Sequence, residues 1–506
     1  MYLPKPEIAV YLIVYVLFLL YGIYQIYMLS DVISSKSKYI GFTNGWKLLG
    51  RKRDDLDFEW ESWKYFVWDN CLWFSFHLIL TETVRWIAPK FVSRAHMGIG
   101  ACFILVHFNL KVLTILLAKT FSFILLMHFN RKRVVWLCAT FWLLVIILFK
   151  YWEQHDQIGK LLDLNESQCY ELVIILSWNV LKSISFSVDY ISNKNKQTTD
   201  VFGLVNIYGY VLYFPNLLLG PFIIFGRYNG MMNNAPMWNG KNAIARLMRL
   251  IVDLSRACFW LLFTDFALHF IYLGNLQHNT DVVKILSPWS LYTFGYLMGQ
   301  FFHNKYVVFY GLPMAIARYE NIDAPGLPKC IGRIHLYSNM WKYFDQGLYE
   351  FLFYYIYTSL CQKTSPVYRK VFASFVTFAF IYLWHGVYQF VFIWAMMNFV
   401  CLQLEQLGRY MGRTQRDRFE RHFSPSNRHR IKAVLGTQIF IPAVISNFYF
   451  FAGVDVGNVF VKRTYLTGNC GTYVSLSFCS YCIYHVSEVI ERWEIERRRE
   501  KTLKIG

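Results

Sequence analysis

The sequence predicts an all-α polytopic membrane protein, and three observations predict it. Of 506 residues, 56% are hydrophobic and only 16% are charged, against roughly 25% charged in a soluble chain. Many uncharged apolar runs reach the length needed to span a bilayer. The gaps between those runs are too narrow for a separate soluble domain, so residues 1–506 read as one membrane-embedded unit. These facts exclude disorder, collagen and coiled coil, and they argue against a purely soluble enzyme.

Ile8–Tyr27 holds twenty uncharged residues. It is too long for a signal-peptide core and no small-x-small cleavage site follows it, so residues 8–27 predict a first transmembrane helix. Ser30–Trp63 is polar and predicts a loop or surface-lying segment. Further spans are expected at Phe66–Leu80, Gly98–Leu117, Phe121–Met127 continuing past Arg131–Lys132–Arg133 into Val134–Tyr151, and Leu172–Ile191. Others are expected at Val201–Phe225, Ala257–Leu273, Leu286–Leu312, Tyr349–Leu360, Val371–Leu404, Ile431–Ala452 and Tyr473–Ile490. With long runs counted twice, the total is about ten to twelve membrane segments, some of them re-entrant. Pro215 and Pro221, in YFPNLLLGPF, mark one expected break.

The net charge of +19 fits basic loops on the cytosolic side of a membrane, with Arg131–Lys132–Arg133 and Arg409–Lys432 the best candidates. A nucleic-acid partner is not expected, because no basic domain with interleaved aromatics is present. Basic loops also suit anionic lipid headgroups or an anionic cosubstrate. The eleven cysteines lie mostly in apolar stretches and do not form a secreted disulfide framework. Cys479, Cys482 and His485 have C-x2-C-x2-H spacing, but 479 and 485 lie far apart around a helix, so small core thiols are the expectation. Asn165–Glu166–Ser167 is a glycosylation triplet that decides little.

Three places carry candidate chemistry. Val371–Leu404 contains thirty-four residues without Asp, Glu, Lys or Arg. A straight helix of that length measures roughly 50 Å, whereas the hydrocarbon core is about 30 Å thick. The run must tilt, bend or divide, and Gly386 in Trp384–His385–Gly386 is its weak point. His385 is then either a histidine satisfied within the bundle or a buried general base, since intramembrane ionisable groups are functional candidates. Asp345, among the aromatics of Met340–Leu348, either caps an interfacial helix, or orients His385 or binds an amine. Lys342 and Arg333 are expected to pair with Asp345 or with phosphate. Cys330, in a membrane-adjacent loop, reads equally as an inert thiol, an S-acylation site or a thiolate ligand of haem iron.

An Asp in M-W-K-Y-F-D, followed forty positions later by a His in a long apolar run, is a specific combination. CIGRIHLYSNMWKYFDQGLYEFLF and TFAFIYLWHGVYQF resemble the Hedgehog-acylating branch of the membrane-bound O-acyltransferase family. The similarity continues through YFPNLLLGP and FIPAVISNFYFFAG. It implies that family's fold, with a catalytic region over 328–404, and a multi-pass enzyme of the endoplasmic reticulum. The implied reaction moves palmitate from palmitoyl-CoA to the N-terminal cysteine amine of a secreted signalling protein of the Hedgehog class. By that resemblance His385 and Asp345 are catalytic, Asn447 is a further polar active-site position, and Cys330 ligates haem B. One departure is Tyr357–Thr358–Ser359–Leu360–Cys361, which stands where the vertebrate pattern has a Pro-Val-Gly-Gly loop. The alternatives are an O-acyltransferase acting on a lipid or sterol hydroxyl, and a non-catalytic or transport protein.

Overall fold

A computed structural model describes residues 3–36, 41–153, 157–192, 201–218, 220–233, 238–415 and 420–503. Helices α1 (Lys5–Lys36), α2 (Phe58–Asp69), α3 (Cys71–Ile87), α4 (Val92–His107), α5 (Leu110–Met127), α6 (Lys132–Glu153), α7 (Gln157–Leu162) and α8 (Glu166–Ser192) form the first part. Next come α9 (Val201–Val211), α10 (Phe225–Asn233), α11 (Gly240–Ala267), α12 (Leu273–His278), α13 (Thr280–Ile285) and α14 (Pro288–Tyr319). The last part holds α15 (Tyr337–Tyr343), α16 (Gln346–Phe351), α17 (Thr358–Leu360), α18 (Val367–His385), α19 (Gln389–Thr414), α20 (Pro425–Val461) and α21 (Cys470–Leu503). Among the described residues, the one pair of strands in this helical chain is a ribbon in the expected polar loop. There β1 (Phe42–Asn44) pairs antiparallel with β2 (Lys52–Asp54).

Local chemistry sets many of the boundaries. Asp57 accepts from the Trp60 amide and caps α2, and Asn109 accepts from the Val112 amide to cap α5. Ser287 followed by Pro288 opens α14, and Ser424 followed by Pro425 opens α20. Both pairs place a side-chain acceptor and then a residue whose missing N–H costs nothing. The triplet Asn165–Glu166–Ser167 is the start of a reciprocal cap. Asn165 Oδ1 accepts from the Gln168 amide, and Gln168 Oε1 accepts from the Asn165 amide.

Among the described residues, seven helices are long and apolar enough to cross a membrane. They are α1, α5, α6, α8, α18, α19 and α20 with its π-helical extension to Leu466. The other expected segments are helical but shorter or more polar: α9 has eleven residues, and α11 carries Arg246, Arg249, Asp253 and Arg256. The expected continuous run from Phe121 to Tyr151 is two helices, because Asn130 turns the chain with φ +56°. The proline break is present: α9 stops at Val211, one 3₁₀ turn spans Phe214–Asn216, and the described residues after it stay irregular up to α10. Leu219 within that break, and 416–419 within the basic stretch Arg409–Lys432, lie outside the described residues.

The core is organised around α8 and α14. In α8, 94% of the apolar window is buried, and α14 buries most of its thirty-two residues. Buried lysines end on oxygen. Lys119 of α5 donates to Asn179 and Ser183 of α8, and Lys182 donates to the Asn216 carbonyl. Glu320, at the end of α14, is fully buried. Its carboxylate accepts from His77 Nε2 at 3.1 Å, His96 Nε2 at 3.3 Å and the Tyr213 hydroxyl at 2.6 Å. Its carbonyl accepts from Arg85 at 3.3 Å. One carboxylate thus joins α3, α4, the proline break and α14. Glu320→Ala leaves three buried donors unpaired and is expected to cost about 3–5 kcal/mol, with Glu320→Gln costing less; thermal unfolding in detergent checks this, and an unchanged midpoint for Glu320→Ala refutes it.

Candidate active site

The thirty-four-residue run divides at the expected place. Helix α18 ends on His385, Gly386 follows with φ +108° and ψ 151°, and α19 begins at Gln389. A Cβ on residue 386 would sit in a backbone region that L side chains rarely adopt, 2.7 Å from the Tyr388 ring. Ending a helix inside the protein leaves its last carbonyls without helical partners. Here Lys150 of α6 reaches across, donating to the carbonyls of Trp384 at 3.1 Å and His385 at 3.0 Å. Trp384 is fixed in turn by its indole N–H on the Ser177 carbonyl of α8.

The His385 ring stands edge-on to Trp394, centroids 5.6 Å apart, and to Phe450 at 5.2 Å. It lines a cavity of about 510 Å³, inside the roughly 300–1,000 Å³ range of small-molecule sites. The imidazole is therefore neither turned to lipid nor sealed in packing.

Asp345 lines the same cavity. It is the N-cap of α16: Oδ1 accepts from the Leu348 amide at 2.9 Å and Oδ2 from the Tyr310 hydroxyl of α14 at 2.7 Å. The capping expectation is thus met, and the capped carboxylate also faces the cavity. No hydrogen bond joins Asp345 to His385 among the described residues. Tyr349–Leu360, which follows, is no single α-helix: α16 passes into a π-helical stretch, Leu352–Tyr357, and then α17. Wide turns of this kind recur at functional sites.

Asn447 of α20 also lines the cavity. Its oxygen accepts from Trp394 Nε1 at 3.1 Å, and its amide donates to the Ala443 carbonyl at 3.0 Å and faces Met340 Sδ at 3.9 Å. The amide thereby fixes the Trp394 indole that walls His385.

Lys342 and Arg333 are not brought to the cavity, which corrects the expected pairing with Asp345. Arg333 forms an ion pair with Glu494 of α21 at 2.6 Å. Lys342 is exposed, with its ammonium over the Tyr343 ring at 5.1 Å. The physical reason is direction. Lys342 lies three residues before the cap in a seven-residue helix whose opposite face carries Met340 and Trp341 to the cavity.

The charged groups at the cavity besides Asp345 are Glu59, Lys150 and Glu153. None was singled out from sequence. They come from α2 and the end of α6, far from the motif, and only long-range packing gathers them. Tyr306 and Tyr310 both line the cavity, and their i,i+4 spacing on α14 was a readable sign of one shared face. Much of the remaining lining is apolar, including Phe18 of α1, Gly299 of α14, Val444 of α20 and Leu476 of α21.

Cys330 is half-buried, with its thiol donating to Gln300 Oε1 at 3.5 Å. It precedes a 3₁₀ turn, Ile331–Arg333, whose Ile331 and Gly332 line the cavity. The thiol is free and partly accessible, the donor that a thiolate-held porphyrin would need, while the flanking Lys329 and Arg333 are both paired with Glu494. Among the described residues, two clusters hold metal-ligand atoms within 4.8 Å: His77, His96 and Glu320, and His429, His485 and Glu488. Cys479 and Cys482 belong to neither; both are buried free thiols, as expected.

Comparison with known proteins places this architecture. Residues 104–446 match the model of MBOAT, the membrane-bound O-acyltransferase family. The protein-cysteine N-palmitoyltransferase Rasp of Drosophila melanogaster is 35% identical over 99% of this chain and 98% of its own length. The protein-cysteine N-palmitoyltransferase HHAT of Mus musculus is 26% identical over 86% of this chain and 88% of its own. A mouse HHAT-like protein is 22% identical over 90% of each. A helix broken at a cavity-lining histidine, within a match of this extent, establishes that this multi-pass membrane protein belongs to the membrane-bound O-acyltransferase family.

Proposed function

We propose that this protein transfers palmitate from palmitoyl-CoA to the N-terminal cysteine amine of a secreted signalling protein of the Hedgehog class, in the membrane of the endoplasmic reticulum. The observation that carries this reading is the His385 imidazole on a largely apolar cavity that also presents the Asp345 carboxylate. The names of the relatives, protein-cysteine N-palmitoyltransferases, supply the acyl group and the acceptor class.

The chemistry follows from ordinary acid–base behaviour. An α-amine titrates near pH 8, so a sizeable fraction is neutral at pH 7. Its nitrogen attacks the thioester carbonyl and forms the C–N bond. His385 takes the amine proton as the tetrahedral intermediate forms. The C–S bond then breaks, and the imidazole returns the proton to the leaving thiolate. Asp345, held by Tyr310 and the Leu348 amide, is a fixed negative charge that draws the amino terminus towards the histidine. A haem held by Cys330 would serve as a structural group, and no proton or acyl transfer passes through it.

The test uses purified full-length protein, labelled palmitoyl-CoA and a peptide with a free N-terminal cysteine. Labelling is expected, and acetylating the peptide amine is expected to abolish it; an acetylated peptide that still takes label refutes amide formation. His385→Ala is expected to remove turnover while the protein stays folded, and wild-type turnover in that variant rejects the base assignment. Tyr310→Phe removes one charge-assisted hydrogen bond from Asp345 and is expected to lower kcat/KM roughly tenfold, ~1.5 kcal/mol. Cys330→Ala is expected to eliminate a Soret band from the purified protein without eliminating turnover, and an unchanged band removes the haem assignment.

A further inference from the structure

We infer that Lys150 is the positioning residue for His385, acting as a latch that holds the broken end of α18. The inference rests on the reading of His385 as the reacting base and goes beyond it, because Lys150 lies on a different helix and belongs to none of the motifs that marked the site.

Four observations converge on it. The ammonium donates to two consecutive carbonyls, those of Trp384 and His385, at 3.1 and 3.0 Å. These are the carbonyls that the break at Gly386 deprives of helical partners. The aliphatic stem packs on the same turn: a Cβ built on Gly386 would lie 3.4 Å from Lys150 Cδ. The side chain also lines the cavity beside His385.

A cation is the right group for this task. The C-terminal end of a helix carries partial negative charge, and a positive group placed there is stabilised. An ammonium offers three donors, so it serves two carbonyls at once. Ser177 completes the latch by accepting the Trp384 indole N–H at 2.9 Å. The peptide plane before Gly386 is therefore held from α6, and the indole next to it from α8. The φ of Gly386 is the freest torsion in the turn. Without the latch, rotation there would swing the peptide that carries the imidazole. Displacement of a reacting group by about 1 Å is enough to cost about 100-fold in rate.

The experiment compares Lys150→Met and Lys150→Arg with the parent protein. It is run in full-length form, with labelled palmitoyl-CoA and the free-cysteine peptide, and with rates normalised to the folded fraction from size exclusion. Lys150→Met is expected to lower kcat about 100-fold while KM for both substrates stays within about twofold. Lys150→Arg, which restores a cationic donor pair, is expected to recover kcat to within about tenfold of the parent. If Lys150→Met does not fold, Lys150→Gln replaces it with its own expectation: its shorter, uncharged amide is expected to leave kcat below that of Lys150→Arg, and a kcat equal to or above the arginine variant's overturns the inference. An unchanged kcat, a rise in KM alone, or an arginine variant as slow as the methionine variant each overturns the inference. His385→Ala separates the two readings: if it is inactive while Lys150→Met is unimpaired, only the latch is lost, whereas an active His385→Ala removes the base itself.

Discussion

The architecture depends on a mismatch of lengths. An uncharged run of thirty-four residues cannot lie straight across a hydrocarbon layer of about 30 Å. The chain resolves the conflict at Gly386, the only residue type that adopts φ +108° without strain. The break delivers a helix end, with its unpaired carbonyls and its histidine, to the interior of the protein. Backbone polar groups at that depth must find partners within the protein, and Lys150 of α6 supplies them for the carbonyls of Trp384 and His385.

The same rule governs the remaining polar groups of the interior. Each of the lysines Lys119 and Lys182 ends on side-chain or backbone oxygen. Glu320 serves four elements at once. Asp345 differs in one respect: it is bonded on both oxygens yet still faces the cavity. Its structural role and its availability to a ligand are thus compatible, because a carboxylate has more acceptor sites than the two contacts use.

Much of this was legible in the sequence, for identifiable reasons. The division at Trp384–His385–Gly386 followed from a length and one glycine. The irregular stretch after α9 followed from Pro215 and Pro221. Asp345 was readable as a cap because an acidic residue stood directly before an apolar run. The fates of Arg333 and Lys342 were not readable: proximity in sequence says nothing about which face of a short helix a side chain takes, and Glu494, the partner of Arg333, lies more than 150 residues away. Lys150 lies inside the expected span Val134–Tyr151 with nothing in the sequence to mark it, and only the fold brings it to the end of α18. Helices such as α11 and α14, which lie in expected membrane segments, are not among the seven long apolar helices of the described residues, and they gain their place from packing more than from their own hydropathy.

Helix α1 has a consequence for affinity. Only 11% of its apolar window is buried, yet its Phe18 is part of the cavity's apolar lining. A helix so little covered by the rest of the protein thus contributes both to the outer apolar surface and to the cavity. An acyl tail moving from the membrane into the cavity exchanges one oily environment for another, and hydrocarbon gains little from such a move because lipid tails are as apolar as leucine. Discrimination among fatty chains must then come from the contour of the walls, and grip on the donor from its polar end, with the greasiness of the tail contributing little to either.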